Sequence, residues 1–227
     1  MPCQRPRVRV ISPFSIANFL LGVLVANYEY HAFFSYKRNA LTDDWHQRVF
    51  ERLQYWIGQE LGIDKPAMFF DRRSIENGQD FDTYIRDALR SSAVIVSIFS
   101  PLYFTSKWCV SEFESFLVRE QKLKFKKGTL VACARFHDGE NYPPEAQKMQ
   151  AEDFRDYAIL APRFWDTDKA VAFDQLITAF AKTIARKIKS APPYDQNFPV
   201  EVVNDENVPE QKPIARPSDY IAQEAPR

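Results

Sequence analysis

Apolar residues in this chain fall into short unbroken runs, separated by longer stretches in which they recur every three or four positions. Runs of β-branched and aromatic residues mark buried strands, and the longer repeat marks helices with one face on a core. Tyr30–Ser35 is the first run, closed by the polar turn Tyr36-Lys37-Arg38-Asn39. Trp45, Val49, Leu53, Trp56 and Ile57 then follow a helical repeat that Thr42 or Asp43 can cap and Gly62 can end. Ala67–Asp71 predicts a second strand, and the loop Arg72-Arg73-Ser74-Ile75-Glu76-Asn77-Gly78 after it carries an Asn-Gly turn signal. Phe81, Ile85, Ala88 and Leu89 mark the next helix.

Ala93–Ser100 is almost continuously β-branched or aromatic, as a central parallel strand covered on both faces requires, and Pro101 ends it. A helix follows from Lys107 to about Lys124, with Cys109, Phe113, Phe116 and Leu117 at core spacing. Thr129–Phe136 predicts the fourth strand, and the fifth is placed near Tyr157–Leu160. The last helix carries Phe173, Leu176, Ile177, Phe180, Ile184 and Ile188 on one face. Strands alternating with helices through right-handed crossovers predict an α/β, flavodoxin-like three-layer sandwich, its five-stranded parallel sheet ordered 2-1-3-4-5. A ligand crevice then lies at the carboxyl ends of the strands, where the order reverses. The Tyr36–Asn39 turn, the Arg72–Gly78 loop and the start of the Lys107 helix converge there.

Composition sets the limits of this domain. Seven of the fifteen prolines fall in the last 37 residues, so residues 191–227 read as a disordered proline-rich tail or linker. Residues 1–27 hold Arg5, Arg7 and Arg9 before an apolar run, and read as a leader or a signal anchor. The domain proper is residues 28–190. Thirty basic side chains against thirty acidic ones leave no global field to draw nucleic acid, and the basic end at Lys122–Lys127 reads as a solvated helix cap. A membrane role would rest on the N-terminal run alone. Three scattered cysteines, Cys3, Cys109 and Cys133, suit a reducing, cytoplasmic setting. His31, His46 and His137 have no neighbours at metal-ligand spacing, so no metal is expected.

Within the Lys107 helix, Trp108 and Glu112 stand four apart and share a face, seating an indole beside a carboxylate at the expected crevice. Read alone, Trp108 is core and Glu112 a solvated charge. Placement at the switch point, beside the two basic loops that hold Lys37, Arg38, Arg72 and Arg73, gives both residues more weight as parts of a site. Asp71 also closes a strand at the crevice, but Lys37-Arg38 stands where a phospho-accepting receiver carries an acidic pair, which excludes that chemistry. With six glycines and neither G-x-G-x-x-G nor a Walker pattern, hydride-transfer and P-loop chemistry are disfavoured.

Four motifs in order resemble the Toll/interleukin-1 receptor (TIR) domain. They are Phe34-Ser35-Tyr36-Lys37-Arg38, Phe70-Asp71 with the Arg72–Gly78 loop, Ser97-Ile98-Phe99-Ser100-Pro101, and Ser106-Lys107-Trp108-Cys109-Val110-Ser111-Glu112. The last is most similar to plant and prokaryotic members that cleave NAD+ between nicotinamide and ribose. That resemblance implies that Glu112 is catalytic, with Trp108, Tyr36, Lys37, Arg38, Arg72, Arg73, Glu76 and Phe81 around the substrate. NAD+ would be the substrate, with no cofactor. The resemblance also implies self-association through the domain, a partner sensor, and a role in immune or cell-death signalling such as prokaryotic antiphage defence. Two other readings stand beside it: a non-catalytic module that self-associates through the Arg72–Gly78 loop, and a nucleoside deoxyribosyltransferase-like enzyme on a related fold.

Overall fold

The computed structural model describes residues 28–71, 79–126, 128–140 and 142–201, with the side chains of residues 79–82 left aside. Five parallel strands make the sheet: β1 (Tyr30–Tyr36), β2 (Met68–Phe69), β3 (Ser92–Phe99), β4 (Val131–Arg135) and β5 (Ala151–Asp153). Their order is β2-β1-β3-β4-β5, the doubly wound arrangement in which β1 and β3 flank the point of reversal. Helices α1 (Asp43–Leu61), α2 (Gln79–Arg90), α3 (Lys107–Lys122) and the single turn α4 (Pro144–Gln147) connect the strands, and α5 (Asp168–Lys189) follows the last of them.

Local chemistry explains most of these limits. Gly62 adopts a left-handed φ of 71°, and its N–H reaches the Gly58 carbonyl to close α1. All eight residues of β3 are buried, as its unbroken apolar run requires of a central strand. Helices α1 and α5 pack together on one face, with Trp45 stacked on Phe173 at 5.8 Å and Arg52 paired with Asp174 at 2.7 Å. Helix α3 covers the other face, where Phe113 meets Phe99 edge-on at 5.3 Å.

The fifth strand differs from expectation. It is Ala151–Asp153, paired with β4 from Cys133↔Ala151 to Arg135↔Asp153, and not Tyr157–Leu160. Three residues at a sheet edge, two of them acidic, carry no apolar alternation to find. Tyr157 sits in a 3₁₀ turn and stacks on Phe173 with centroids 4.8 Å apart, so its apolar character serves the α5 interface.

The change in composition at Ser190 is not where packing stops. Tyr194 and Phe198 close around Tyr28, whose hydroxyl donates to the Pro192 carbonyl at 2.9 Å. Phe198 also lies over the buried Arg119 guanidinium, 4.3 Å from the ring centroid, and the Glu201 N–H donates to Ser115 Oγ on α3. Two aromatic side chains are enough to hold residues 191–201 against the domain. Among the described residues, no helix is long and apolar enough to cross a membrane.

Candidate active site

Strand periodicity sets the site. Side chains alternate along β1, so Phe34 and Tyr36 face α1, where their rings meet Phe50 and His46. Ser35 therefore faces α3. Its register partner across the parallel pair is Ser97 of β3, which points to the same side. Two serines thus sit abreast among the buried apolar residues of the two strands.

Helix α3 begins at Ser106, an extended N-cap whose hydroxyl accepts the Cys109 N–H at 3.5 Å. That start puts Trp108 in the first turn, half-buried, and Glu112 one turn further, over Ser35. Glu112 is only 8% exposed, so it is no solvated charge. Ser35 Oγ donates to Glu112 Oε2 at 2.5 Å. Tyr103, wholly buried in the 3₁₀ turn after β3, brings its hydroxyl within 2.7 Å of Ser35 Oγ and 3.3 Å of Ser97 Oγ.

Burial pushes the Glu112 carboxyl up from 4.5 to about 8; the Ser35 hydrogen bond opposes this, and the nearby Asp71 charge adds to it. Glu112 therefore holds its proton more tightly than a free carboxyl does. Cys109, between Trp108 and Glu112, is buried with its Sγ against the Tyr36 carbonyl, and burial raises its thiol far above the usual range. A thiol so held is inert, which removes it as a nucleophile.

Tyr36, Lys37, Arg38, Trp108 and Glu112 line one crevice of about 130 Å³, together with Asp71, Ile85, Ser106 and Cys109. Arg38 pairs with Asp71 at 3.4 Å, and the Tyr36 hydroxyl donates to the Asp71 carbonyl at 3.4 Å. Asp71 thereby ties the end of β2 to the turn after β1. Arg72, Arg73 and Glu76 lie outside the described residues, as does the Phe81 side chain. A neighbouring cavity of about 220 Å³, on the α1 side of Lys37, is lined by Asn39, Thr42, His46, Ser100 and Phe136. Among the described residues no carboxylate lines it, and burial lowers His46 to about 4, leaving a neutral imidazole bonded to the Thr42 carbonyl at 2.8 Å. The reactive groups converge on the Glu112 crevice.

Ser35 and Ser97 fall inside two of the four motifs, but no spacing gives either a role at the site, and Tyr103 lies in none of them. Their signal is the pair of serines at matched points of two apolar runs, which must find hydrogen-bond partners once buried. Among the described residues, no group of three or more His, Cys, Asp or Glu is placed to hold a metal ion.

No curated protein matches the chain. Among solved structures, it is similar to the TIR domains in the structure of the activated Roq1 resistosome directly recognizing the pathogen effector XopQ, at 18% identity. That alignment covers 71% of this chain and 96% of the other, with a TM-score of 0.36. The family model of the TIR domain matches residues 33–177, which takes in all five strands except the start of β1, both cavities and Glu112. With the family model spanning well over half of its length, the chain belongs to the TIR domain family.

Proposed function

We propose that this TIR domain is an NAD+ glycohydrolase, releasing nicotinamide and leaving ADP-ribose or its cyclised form, in immune or cell-death signalling such as prokaryotic antiphage defence. The observation that carries the reading is Glu112. A carboxyl group sits at the buried end of a ring-sized crevice, holds a hydroxyl donor at 2.5 Å, and has Trp108, Lys37 and Arg38 toward the mouth.

The chemistry asks for one carboxylate. Nicotinamide is a cationic leaving group that departs neutral, so it needs no general acid, unlike the two-carboxylate arrangement of most glycosidases. As the bond from ribose C1′ to the pyridinium nitrogen breaks, its electron pair returns to the ring and C1′ becomes an oxocarbenium-like cation. Ionised Glu112 stabilises that charge in a site from which water is largely excluded. Water then attacks C1′, and Glu112 takes its proton. The pyridinium itself brings a positive charge to the crevice and favours the ionised form of a carboxyl whose proton burial otherwise retains.

Lys37 and Arg38 are placed for the pyrophosphate and Trp108 for a ring face. Ligand pockets commonly run to roughly 300–1,000 Å³, so a crevice of about 130 Å³ takes the nicotinamide end alone. The remainder of the dinucleotide needs further surface, from other parts of this chain or from a second copy, and in the second case turnover would depend on self-association.

The test is release of nicotinamide from NAD+ by the full chain, at low concentration and under forced oligomerisation, with Glu112→Gln alongside. Release by the wild type and a loss of at least about a hundredfold in the variant support the reading. No release by the wild type under either condition leaves a self-associating TIR module without catalysis. Equal release by both proteins removes Glu112 from the mechanism.

A further inference from the structure

Three hydroxyls lie in line behind Glu112. Ser35 touches its carboxyl, Tyr103 touches Ser35, and Ser97 closes the line at 3.3 Å from the Tyr103 oxygen. Ser35 is 1% exposed, and Tyr103 and Ser97 not at all. Each hydroxyl has one proton to give, and each contact in the line consumes one.

Ionisation fixes their direction. A protonated Glu112 keeps an oxygen that still accepts, so the Ser35 hydroxyl can donate to it or turn to Tyr103. When Glu112 is ionised, it can only accept, so Ser35 donates to it, Tyr103 donates to Ser35, and Ser97 donates to Tyr103. No hydroxyl gains or loses a proton. The carboxyl proton leaves to solvent, and the three O–H bonds align on the anion. A chain of donors aligned on the anion polarises along its length, so each member strengthens the next.

We infer that Tyr103 is a positioning residue of this site: wedged between Ser35 and Ser97, it supplies the proton that lets Ser35 point its own at Glu112 once the carboxyl is charged. The inference rests on the reading of Glu112 as the acting carboxylate, and deepens it. Without the Tyr103 hydroxyl, Ser35 has no donor behind it and the anion loses the far part of its support. The Tyr103 ring packs on Phe99 at 5.4 Å and Phe104 at 5.1 Å, contacts that a phenylalanine keeps.

Other charges face the carboxyl from several sides, and none replaces this line. Lys37 and Arg38 line the same crevice from the turn after β1, the Tyr36 phenol turns toward α1, and the Asp71 charge reaches the carboxyl from the end of β2. Arg38 is paired with Asp71. On α3 itself stands the neutral thiol of Cys109, and α2 contributes Ile85. The direct hydrogen bond to Glu112 comes from the Ser35 end of the hydroxyl line.

The experiment is a titration of the Glu112 carboxyl carbon by NMR in the full chain with ¹³C-labelled glutamate, the signal being identified by its loss in Glu112→Gln. Tyr103→Phe is expected to raise the midpoint by about one pH unit and Ser35→Ala by about two. Ser97→Ala, a mild change at a buried strand position, moves it the same way by less, and Ser35→Thr, which keeps the hydroxyl, restores it. Nicotinamide release follows: at pH 7 the Tyr103→Phe rate falls about tenfold, and the gap narrows as pH rises past the shifted midpoint. An unchanged midpoint in Tyr103→Phe and Ser97→Ala, whatever happens to their melting temperatures, overturns the inference. The carbon titration reads this even if the wild type releases no nicotinamide, so a failure of the relay and a failure of the catalytic reading are told apart.

Discussion

Replacing Glu112 with glutamine should stabilise the protein, and by an amount that depends on pH. The folded-state carboxyl titrates near 8 because burial opposes its charge, while in the unfolded chain it titrates near 4.5. Below about pH 4.5 the group is neutral in both states and contributes no difference. Between 4.5 and 8 the unfolded chain has released the proton and the folded one still holds it, so rising pH favours unfolding by about 1.4 kcal/mol per unit. Above 8 both are ionised and the penalty is constant. Roughly 3.5 pH units at that slope give an upper limit of about 5 kcal/mol. Water entering the crevice around the anion lowers it.

Glutamine keeps an oxygen to accept from Ser35 and never ionises, so it escapes the penalty. The other titrating groups are shared by both proteins, and the difference between them isolates Glu112. In urea unfolding, the variant should match the wild type near pH 4, gain steadily through pH 5–8, and lead by several kcal/mol at pH 9. At roughly 2–4 °C per kcal/mol for a chain of this size, the melting temperature should rise by on the order of 10 °C at the alkaline end. A difference that is flat across this range, or that favours the wild type at pH 9, refutes a desolvated carboxyl at this position. The measurement needs no substrate and holds whatever the catalytic activity.

Two further outcomes follow from buried groups. Cys109 and Cys133, 5% and 2% exposed and with thiols raised by burial, should resist iodoacetamide at pH 7.5 in the native protein and react once it is unfolded; rapid native labelling of Cys109 would contradict its place in the core. Arg119 donates to the carbonyls of Ser92 and Leu89 at 2.8 and 2.9 Å and lies between the Phe116 and Phe198 rings, so Arg119→Ala should cost about 3–5 kcal/mol in urea unfolding. A loss under about 1 kcal/mol would mean that this clamp holds little.

Period and punctuation carried most of the fold. The 3.6-residue repeat with Gly62 behind it located α1, and the unbroken run before Pro101 located β3, because in both cases burial is written into consecutive side chains. Where an element is short and lies at an edge, that signal fails. Ala151–Asp153 is a strand only because β4 offers it a ladder, a tertiary fact with no local trace, while in the more apolar Tyr157–Leu160 the Tyr157 ring goes to a helix interface and Leu160 is exposed. The packed segment after Ser190 escaped for a related reason. Proline-rich composition describes the average of 37 residues, and two aromatic rings among the first eight decide the packing.

The candidate site was legible to the extent that its chemistry lies in spacing. Trp108 and Glu112 four apart on a helix, and Lys37-Arg38 at a strand end, could be placed together from topology alone, since a doubly wound sheet brings those ends to one crevice. What spacing could not supply is the state of the carboxyl. Read along the helix, Glu112 is as polar as the exposed Glu114 two residues on, and only the fold puts one in water and the other over β1. Once it is there, the apolar environment that would make an ionised carboxylate costly is relieved at one point, by a serine on the same face of β1. That serine is in turn answered by a serine on β3 and a tyrosine from the next turn. A single hydroxyl opposite a buried acid is ordinary satisfaction of a polar group. Three in line, each buried and each needing the next, are more than satisfaction requires, and they tie the proton on Glu112 to the orientation of a tyrosine that the crevice never touches.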